Sequence, residues 1–231
     1  MIRIFIFSYS GDAAEAVACV RCARMAVPCA SVTVVDDASS PVQEETAEAL
    51  RSMGAEYVQS SWERHGNLRG PDCIRGMLSE MCREAEDDDI LVKVDCDTAL
   101  LDGGWLRWME QRPWCQMYTS GDFVNGDWRV FGCLYALRGW IARRLYREMD
   151  WTLLDDRAPE DWTIGREVLA RVPAALCRID EPWRKRSPWS IWTAWCWPSR
   201  TVSAESYAAR FAVVITGSPR MSNQPASERA R

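Results

Sequence analysis

The stretch Ile90 to Leu101 (ILVKVDCDTALL) constrains the fold of this 231-residue chain more than any other. Aliphatic residues surround a single lysine, Lys93, and run into Asp95 and Asp97, which flank Cys96. The run is short, β-branched and bounded by the acidic Glu84 to Asp89 before it and Asp102-Gly103-Gly104 after it. Such a pattern reads as a strand buried on both faces. Side chains alternate along a strand, so a strand continuing through Asp97 places both carboxylates on one side at its carboxyl end. Ligands bind at that edge of open α/β sheets. Two neighbouring carboxylates repel unless a cation or a shared proton relieves them. Carboxylate oxygens suit magnesium or manganese. The same pair would also serve as a water-facing cap on the following turn, and spacing alone does not separate the two.

The chain before this stretch alternates strands and helices. Ile2 to Ser8 reads as a buried first strand. Asp12 and Glu15 have capping-box spacing and open a helix to about Met25. Ser31 to Val35 is a second strand running into Asp36-Asp37. Ser40 as N-cap and Pro41 at the first helical position start a helix that stops at Gly54. A short strand near Glu56 to Gln59 and a helix around Cys73 to Arg83 complete a doubly wound α/β pattern with a mostly parallel central sheet flanked by helices. No glycine-rich loop follows the first strand, since Tyr9-Ser10-Gly11-Asp12 has neither G-x-G-x-x-G nor a Walker lysine. The common dinucleotide and NTPase motifs are therefore missing, and a bound phosphate must be met by a metal or arginine.

Beyond Asp97 the pattern gives a helix from about Trp105 to Gln111, an apolar stretch at Cys115 to Tyr118, and a polar loop from Ser120 to Asp127. A strand at Val130 to Ala136, helices at Trp140 to Met149 and Trp162 to Arg171, and a last strand at Phe211 to Ile215 follow. Residues 218–231 are polar and aperiodic and read as a loose tail.

A net charge of -5 argues against a general nucleic-acid binder. Ten cysteines include one C-x-x-C, Cys19 to Cys22, with no second pair or nearby histidine to complete a zinc site. Core thiols and the lack of a signal peptide point to a reducing cytoplasm. No apolar run is long enough for a transmembrane segment.

Three features in order resemble the GT-A glycosyltransferases, especially the inverting family 2 enzymes. Val34-Val35-Asp36-Asp37-Ala38-Ser39-Ser40 is similar to their second-strand signature, Val94-Asp95-Cys96-Asp97 to their DxD motif, and Pro159-Glu160-Asp161-Trp162 to their glutamate-aspartate motif. Gly132-Cys133 to Arg138 resembles the segment between the last two. The resemblance covers residues 1 to about 172. It implies a single GT-A domain over residues 1–217, with a nucleotide-sugar-binding half (1–101), an acceptor half (102–172) and a tryptophan-rich C-terminal segment (173–217).

It also implies a nucleotide-sugar donor, UDP-linked first, and a divalent cation, Mn2+ or Mg2+, held by Asp97 with Asp95 on metal or ribose. Asp36, Asp37, Ser8 and Arg69 fall on the donor side; which of the two aspartates meets base or ribose stays open. Asp161 would be the general base that takes the acceptor proton, with Glu160 as the neighbouring candidate. Both would also serve as ordinary helix N-terminal acids. Many family members place a metal-binding histidine near the C-terminus, but here the only histidine, His65, precedes the DxD motif.

Five tryptophans crowd into Trp183, Trp189, Trp192, Trp195 and Trp197, beside Arg184-Lys185-Arg186. They suit a C-terminal flap, an acceptor platform or a peripheral membrane patch. Two rival readings use the same chain. One is a haloacid-dehalogenase-type phosphatase with Asp95 as nucleophile, Asp97 as acid/base and Lys185 downstream. The other is a GT-A-like domain that binds a nucleotide-sugar or a partner protein without turnover.

Overall fold

The apolar run after Met1 becomes β1 (Ile2–Ser8), which lies inside the main sheet between β2 (Ser31–Asp36) and the strand from Ile90. The computed structural model describes residues 1–64, 68–124, 127–181, 191, 193–195 and 212–215. α1 (Ala13–Ala26) joins β1 to β2, and α2 (Glu44–Ser52) joins β2 to β3 (Glu56–Gln59). α3 (Pro71–Cys82) precedes β4 (Ile90–Asp95). Then come β5 (Thr98–Leu100), α4 (Gly104–Glu110), β6 (Met117–Val124), β7 (Asp127–Arg138), α5 (Gly139–Glu148), α6 (Glu160–Arg171) and β8 (Cys177–Asp180). β9 (Thr193–Trp195) and β10 (Val213–Ile215) are the last described strands.

The main sheet has the order β3-β2-β1-β4-β7-β6-β8. Its first four strands are mutually parallel, β7 is antiparallel to β4 and β6, and β8 is parallel to β6. Alternation divides the core between the two faces. Ile4, Ile6, Val34, Val92 and Val94 pack against α1, α2 and α4. Phe5, Phe7, Leu91, Tyr135 and Leu137 pack against α3, α5 and α6. Both faces are covered, which is why the parallel strands read as nearly continuous apolar runs.

Several local expectations are corrected. The strand from Ile90 ends at Asp95, and Cys96-Asp97 form a turn into β5, which leaves the main sheet to pair with β10. Asp95 and Asp97 are therefore brought together by a turn, not by strand alternation. Asp12 makes no capping bond to α1, because its side chain is engaged by Cys96 and Arg64. α2 starts at Glu44 with Gln43 as N-cap, since the Asp36 carboxylate takes the Val42 amide and holds the preceding chain extended.

The polar segment read as a loop, Ser120 to Asp127, is largely strand. Phe123 meets Trp128 edge to face, and Asp122 makes a two-pronged ion pair with Arg129, both directly across the β6–β7 ladder. Such cross-strand pairs stabilise polar sequence as sheet. Most of the tryptophan cluster, including Trp183, Trp189, Trp192 and Trp197 with Arg184-Lys185-Arg186, lies outside the described residues, as do His65 and 216–231.

Candidate active site

Register aligns the carboxyl ends of the parallel strands: Ser8 pairs with Asp36, Phe7 with Asp95, and Asp36 with Gln59. Asp36 is fully buried at this edge. Its Oδ1 accepts from the Ser8 hydroxyl at 2.8 Å, and its Oδ2 accepts from the Val42 amide at 2.8 Å and the Tyr57 hydroxyl at 2.6 Å. Burial and Asp36 push the Tyr57 phenol up, so it stays a donor. Three internal donors therefore meet the Asp36 carboxylate, and Ser8 is one of them. Asp37 is placed differently. It lies one residue past β2, and its Oδ1 accepts from the Ser39 amide and hydroxyl at 3.1 and 3.0 Å.

At the next strand end, the Cys96 thiol donates to Asp12 Oδ2 at 2.8 Å, and Arg64 stands 3.5 Å from the same oxygen. Arg64 is itself buried, donates to the Phe7 carbonyl at 3.2 Å and lies over the Tyr9 ring at 4.9 Å. Asp97 sits in this acid-rich turn. Burial raises its carboxyl to about 6, with Asp95 and Asp12 adding to the effect and Lys93 and Arg64 countering it. A local excess of negative charge is what a divalent cation relieves.

Among the described residues no three His, Cys, Asp or Glu side chains form a ready metal cage. Two aspartates nevertheless fit the group. Magnesium-type sites take one or two carboxylates and complete their shell from water and substrate phosphates.

Next to this turn, the start of α6 packs against β7. Gly132 permits the approach: a Cβ there would lie 3.0 Å from Asp161 Cβ, 3.1 Å from Asp161 Oδ2 and 3.2 Å from Glu160 Oε2. Asp161 accepts from the Trp162 amide at 2.8 Å. Burial raises its pKa, and the Trp162 and Gly132 amides oppose that rise. Glu160 points inward and is 4% exposed, whereas Asp161 is only half-buried. Burial lifts Glu160 to about 7 in spite of Lys93.

Lys93 joins the end of β4 to the start of α6. Its Nζ donates to Asp95 Oδ1 at 2.6 Å and to the Gly132 carbonyl, and stands 3.4 Å from Glu160 Oε1. It is 1% exposed, yet Asp95 and Glu160 outweigh burial and keep it charged. Its closer partner is Asp95, which explains how Lys93 holds its proton firmly while Glu160 still titrates high.

Arg69 sits beside this junction. Gly70 donates to the Ala158 carbonyl at 3.0 Å, Glu160 donates to the Leu68 carbonyl at 3.2 Å, and Arg69 bridges to Pro159. The crossing requires left-handed backbone at Leu68 (φ 51°) and Gly70 (φ 83°). At Gly70 a Cβ would meet the Asp156 carbonyl at 2.8 Å, so glycine is required twice over. Arg69 is exposed and, with Asp72, Asp156 and Arg157, lines an open cavity of about 520 Å³. The loop thus places Arg69 next to the start of α6.

No protein-family model matches the chain, and no protein of curated function is similar to it in sequence. Solved structures are similar in fold. One is the galactosyltransferase LgtC in complex with donor and acceptor sugar analogs, at 14% identity and TM-score 0.54, with 100% of this chain and 99% of that chain covered. Another is glucosyl-3-phosphoglycerate synthase from Mycobacterium tuberculosis with Mn2+, UDP and glucosyl-3-phosphoglycerate. It is 12% identical at TM-score 0.52, with 78% of this chain and 69% of that one covered. This chain has the GT-A fold. The mixed sheet flanked by helices is that of the nucleotide-diphospho-sugar glycosyltransferases. The phosphatase reading gains nothing from this likeness, and its Lys185 lies outside the described residues.

In this GT-A chain, sequence reasoning singled out Asp95, Asp97, Glu160 and Asp161, and the structure links both pairs through Lys93 and Gly132. It missed Asp12, Arg64 and Lys93 as members of the cluster. A lone lysine inside a both-faces-buried strand was the available signal, because a buried ammonium requires a carboxylate partner.

Proposed function

We propose that this chain is a glycosyltransferase moving a sugar from a nucleoside-diphosphate sugar, UDP-linked first, to an acceptor hydroxyl with inversion at the anomeric carbon. The observation that carries this reading is the convergence of the DxD turn and the start of α6 on Lys93 and Gly132, within a fold shared with glycosyltransferases. The donor half would span residues 1–101 and the acceptor half 102–172, followed by a C-terminal segment over 173–217.

Asp37 is the better candidate for base or ribose, because Asp36 already receives three donors from its own chain. Asp97, with the Asp95 oxygen not bonded to Lys93, would hold manganese or magnesium. The cation supplies charge neutralisation for the diphosphate leaving group. Arg69 would lie over the diphosphate or the incoming acceptor.

Asp161 takes the proton of the acceptor hydroxyl as that oxygen bonds to the anomeric carbon. The bond from that carbon to the phosphate oxygen breaks on the opposite side, and the electron pair leaves with the nucleoside diphosphate. Asp161 is half-buried and open to an acceptor, whereas Glu160 is 4% exposed, which favours Asp161 for this role. Glu160, buried beside Lys93, fits as its support. No helix among the described residues is long and apolar enough to cross a membrane, and a cytoplasmic enzyme acting on a soluble or membrane-surface acceptor is in keeping with that.

A thermal-shift panel of nucleoside diphosphates and nucleotide-sugars, with and without manganese, tests the reading. A ligand at a hundredfold its Kd stabilises by about 2.7 kcal/mol. UDP with manganese should shift the wild type and not Asp97→Ala. A panel in which no nucleotide shifts the protein in any metal overturns the proposal. Proton NMR of the product's anomeric signal decides inversion.

A further inference from the structure

We infer that Lys93 is a built-in cation that weakens divalent-metal binding by the empty DxD turn, so that stable metal binding depends on the phosphates of the donor. The inference rests on the metal-assisted transferase reading above.

Lys93 sits in the middle of the main sheet, in β4, on the face that α6 covers, and alternation puts Asp95 on that same face. Its ammonium is almost wholly shielded from water, so dissolved salt cannot stand in for it or screen it well. It makes a 2.6 Å bond to Asp95 Oδ1, which removes that oxygen from the set open to a metal. On its other side Glu160 Oε1 makes no hydrogen bond and faces Nζ at 3.4 Å. One positive charge is therefore divided between a carboxylate of the DxD motif and a carboxylate at the start of α6.

A dication arriving at Asp95 and Asp97 meets both a blocked oxygen and a nearby positive charge. Asp97 and an Asp95 already paired with Lys93 hold it weakly. The diphosphate of a donor brings the extra oxygens and negative charge that complete the site. Lys93 is a positioning residue in this scheme: it acts on the metal through Asp95 and on α6 through Glu160, and touches neither substrate.

The test counts bound Mn2+ by electron paramagnetic resonance, using Mn2+ alone and Mn2+ with UDP. Lys93→Met should bind Mn2+ alone on the order of tenfold more tightly than wild type, and the enhancement by UDP should shrink. A merely structural lysine would leave affinity unchanged or lower it when lost, and either result overturns the inference.

Glu160→Gln tests the same idea from the other side without leaving a buried acid unpaired. With Lys93 no longer shared, Mn2+ should bind about threefold more weakly. If Lys93→Met does not fold, this variant decides alone, and unchanged or tighter binding overturns the inference. Wild type that binds no Mn2+ even with UDP overturns the metal-assisted reading and the inference together. Wild type that binds Mn2+ normally beside unresponsive variants overturns the inference only.

Discussion

Gly132 and Asp161 are in direct contact: a single methyl group on Gly132 would lie 3.0 Å from the Asp161 β-carbon. Few real β-carbons are packed so tightly, so a side chain at that position would push the start of α6 away from β7 by a few tenths of an ångström. The place of Asp161 thus depends in part on the absence of a side chain at Gly132.

Gly132→Ala should therefore displace Asp161 and Glu160 by a few tenths of an ångström without unfolding the protein. Misplacing a base by a fraction of an ångström costs rate more than binding. Turnover is expected to fall roughly three- to tenfold, with UDP affinity within about twofold of wild type. Parallel kinetics and calorimetric UDP titration would check this, and full turnover in Gly132→Ala would contradict it.

Asp161→Asn keeps the shape and removes the proposed base. Turnover should drop by roughly 10²–10⁴, the usual contribution of general base catalysis, with donor binding intact. Glu160→Gln should keep measurable turnover, since Glu160 is buried beneath the site. Equal losses in the two variants would count against Asp161 as the proton acceptor.

Asp36 and Asp37 separate by what they hold. Asp36→Ala orphans two buried donors, Ser8 and Val42, and the half-buried Tyr57 hydroxyl. Leaving buried groups unpaired costs about 1–3 kcal/mol each, so a loss of at least about 2 kcal/mol in denaturant unfolding is expected. Asp37→Ala should unfold near wild type but bind UDP about tenfold more weakly, a 1.4 kcal/mol effect. The reverse assignment predicts the opposite pattern, and the two measurements together decide.

Glu160 gives stability a pH dependence of definite sign. Its folded pKa, about 7, lies above the ordinary glutamate value of 4.5, chiefly through burial. The folded state therefore binds this proton more tightly than the unfolded chain. The stabilisation is complete below about pH 4.5 and is lost as pH rises through 7. At 1.36 kcal/mol per pKa unit the total is at most about 3 kcal/mol. Thermal melts from pH 5 to 8 should show a falling Tm in wild type and a flatter profile in Glu160→Gln. A wild-type profile that rises over that range would refute the assignment.

Local chemistry made much of this legible in advance. β-branched runs such as Ile2–Ser8 and Ile90–Asp95 form strands because they are apolar on both faces. Strand–helix alternation with no phosphate-binding glycine loop narrowed the fold, and acids at the strand and helix ends marked the edge where a site would lie. The hairpin of β6 and β7 was not legible, because Asp122 and Arg129 look like loop residues until they are found facing each other across a ladder. The same holds for Asp12, whose capping pattern is real in sequence but whose carboxylate is taken by Cys96 and Arg64 from elsewhere in the chain.

By itself, then, the sequence determined the order of elements and the residues able to carry charge at the sheet edge, since both depend on neighbours within a few positions. Only the tertiary structure decided how those charges are matched. Lys93 meets Asp95 two residues away, but it also meets Glu160 across the β7–α6 packing, and Asp36 is satisfied by Ser8, Val42 and Tyr57 from three separate segments. Burial and distance fix which carboxylates remain available to a ligand, and neither can be read from spacing along the chain.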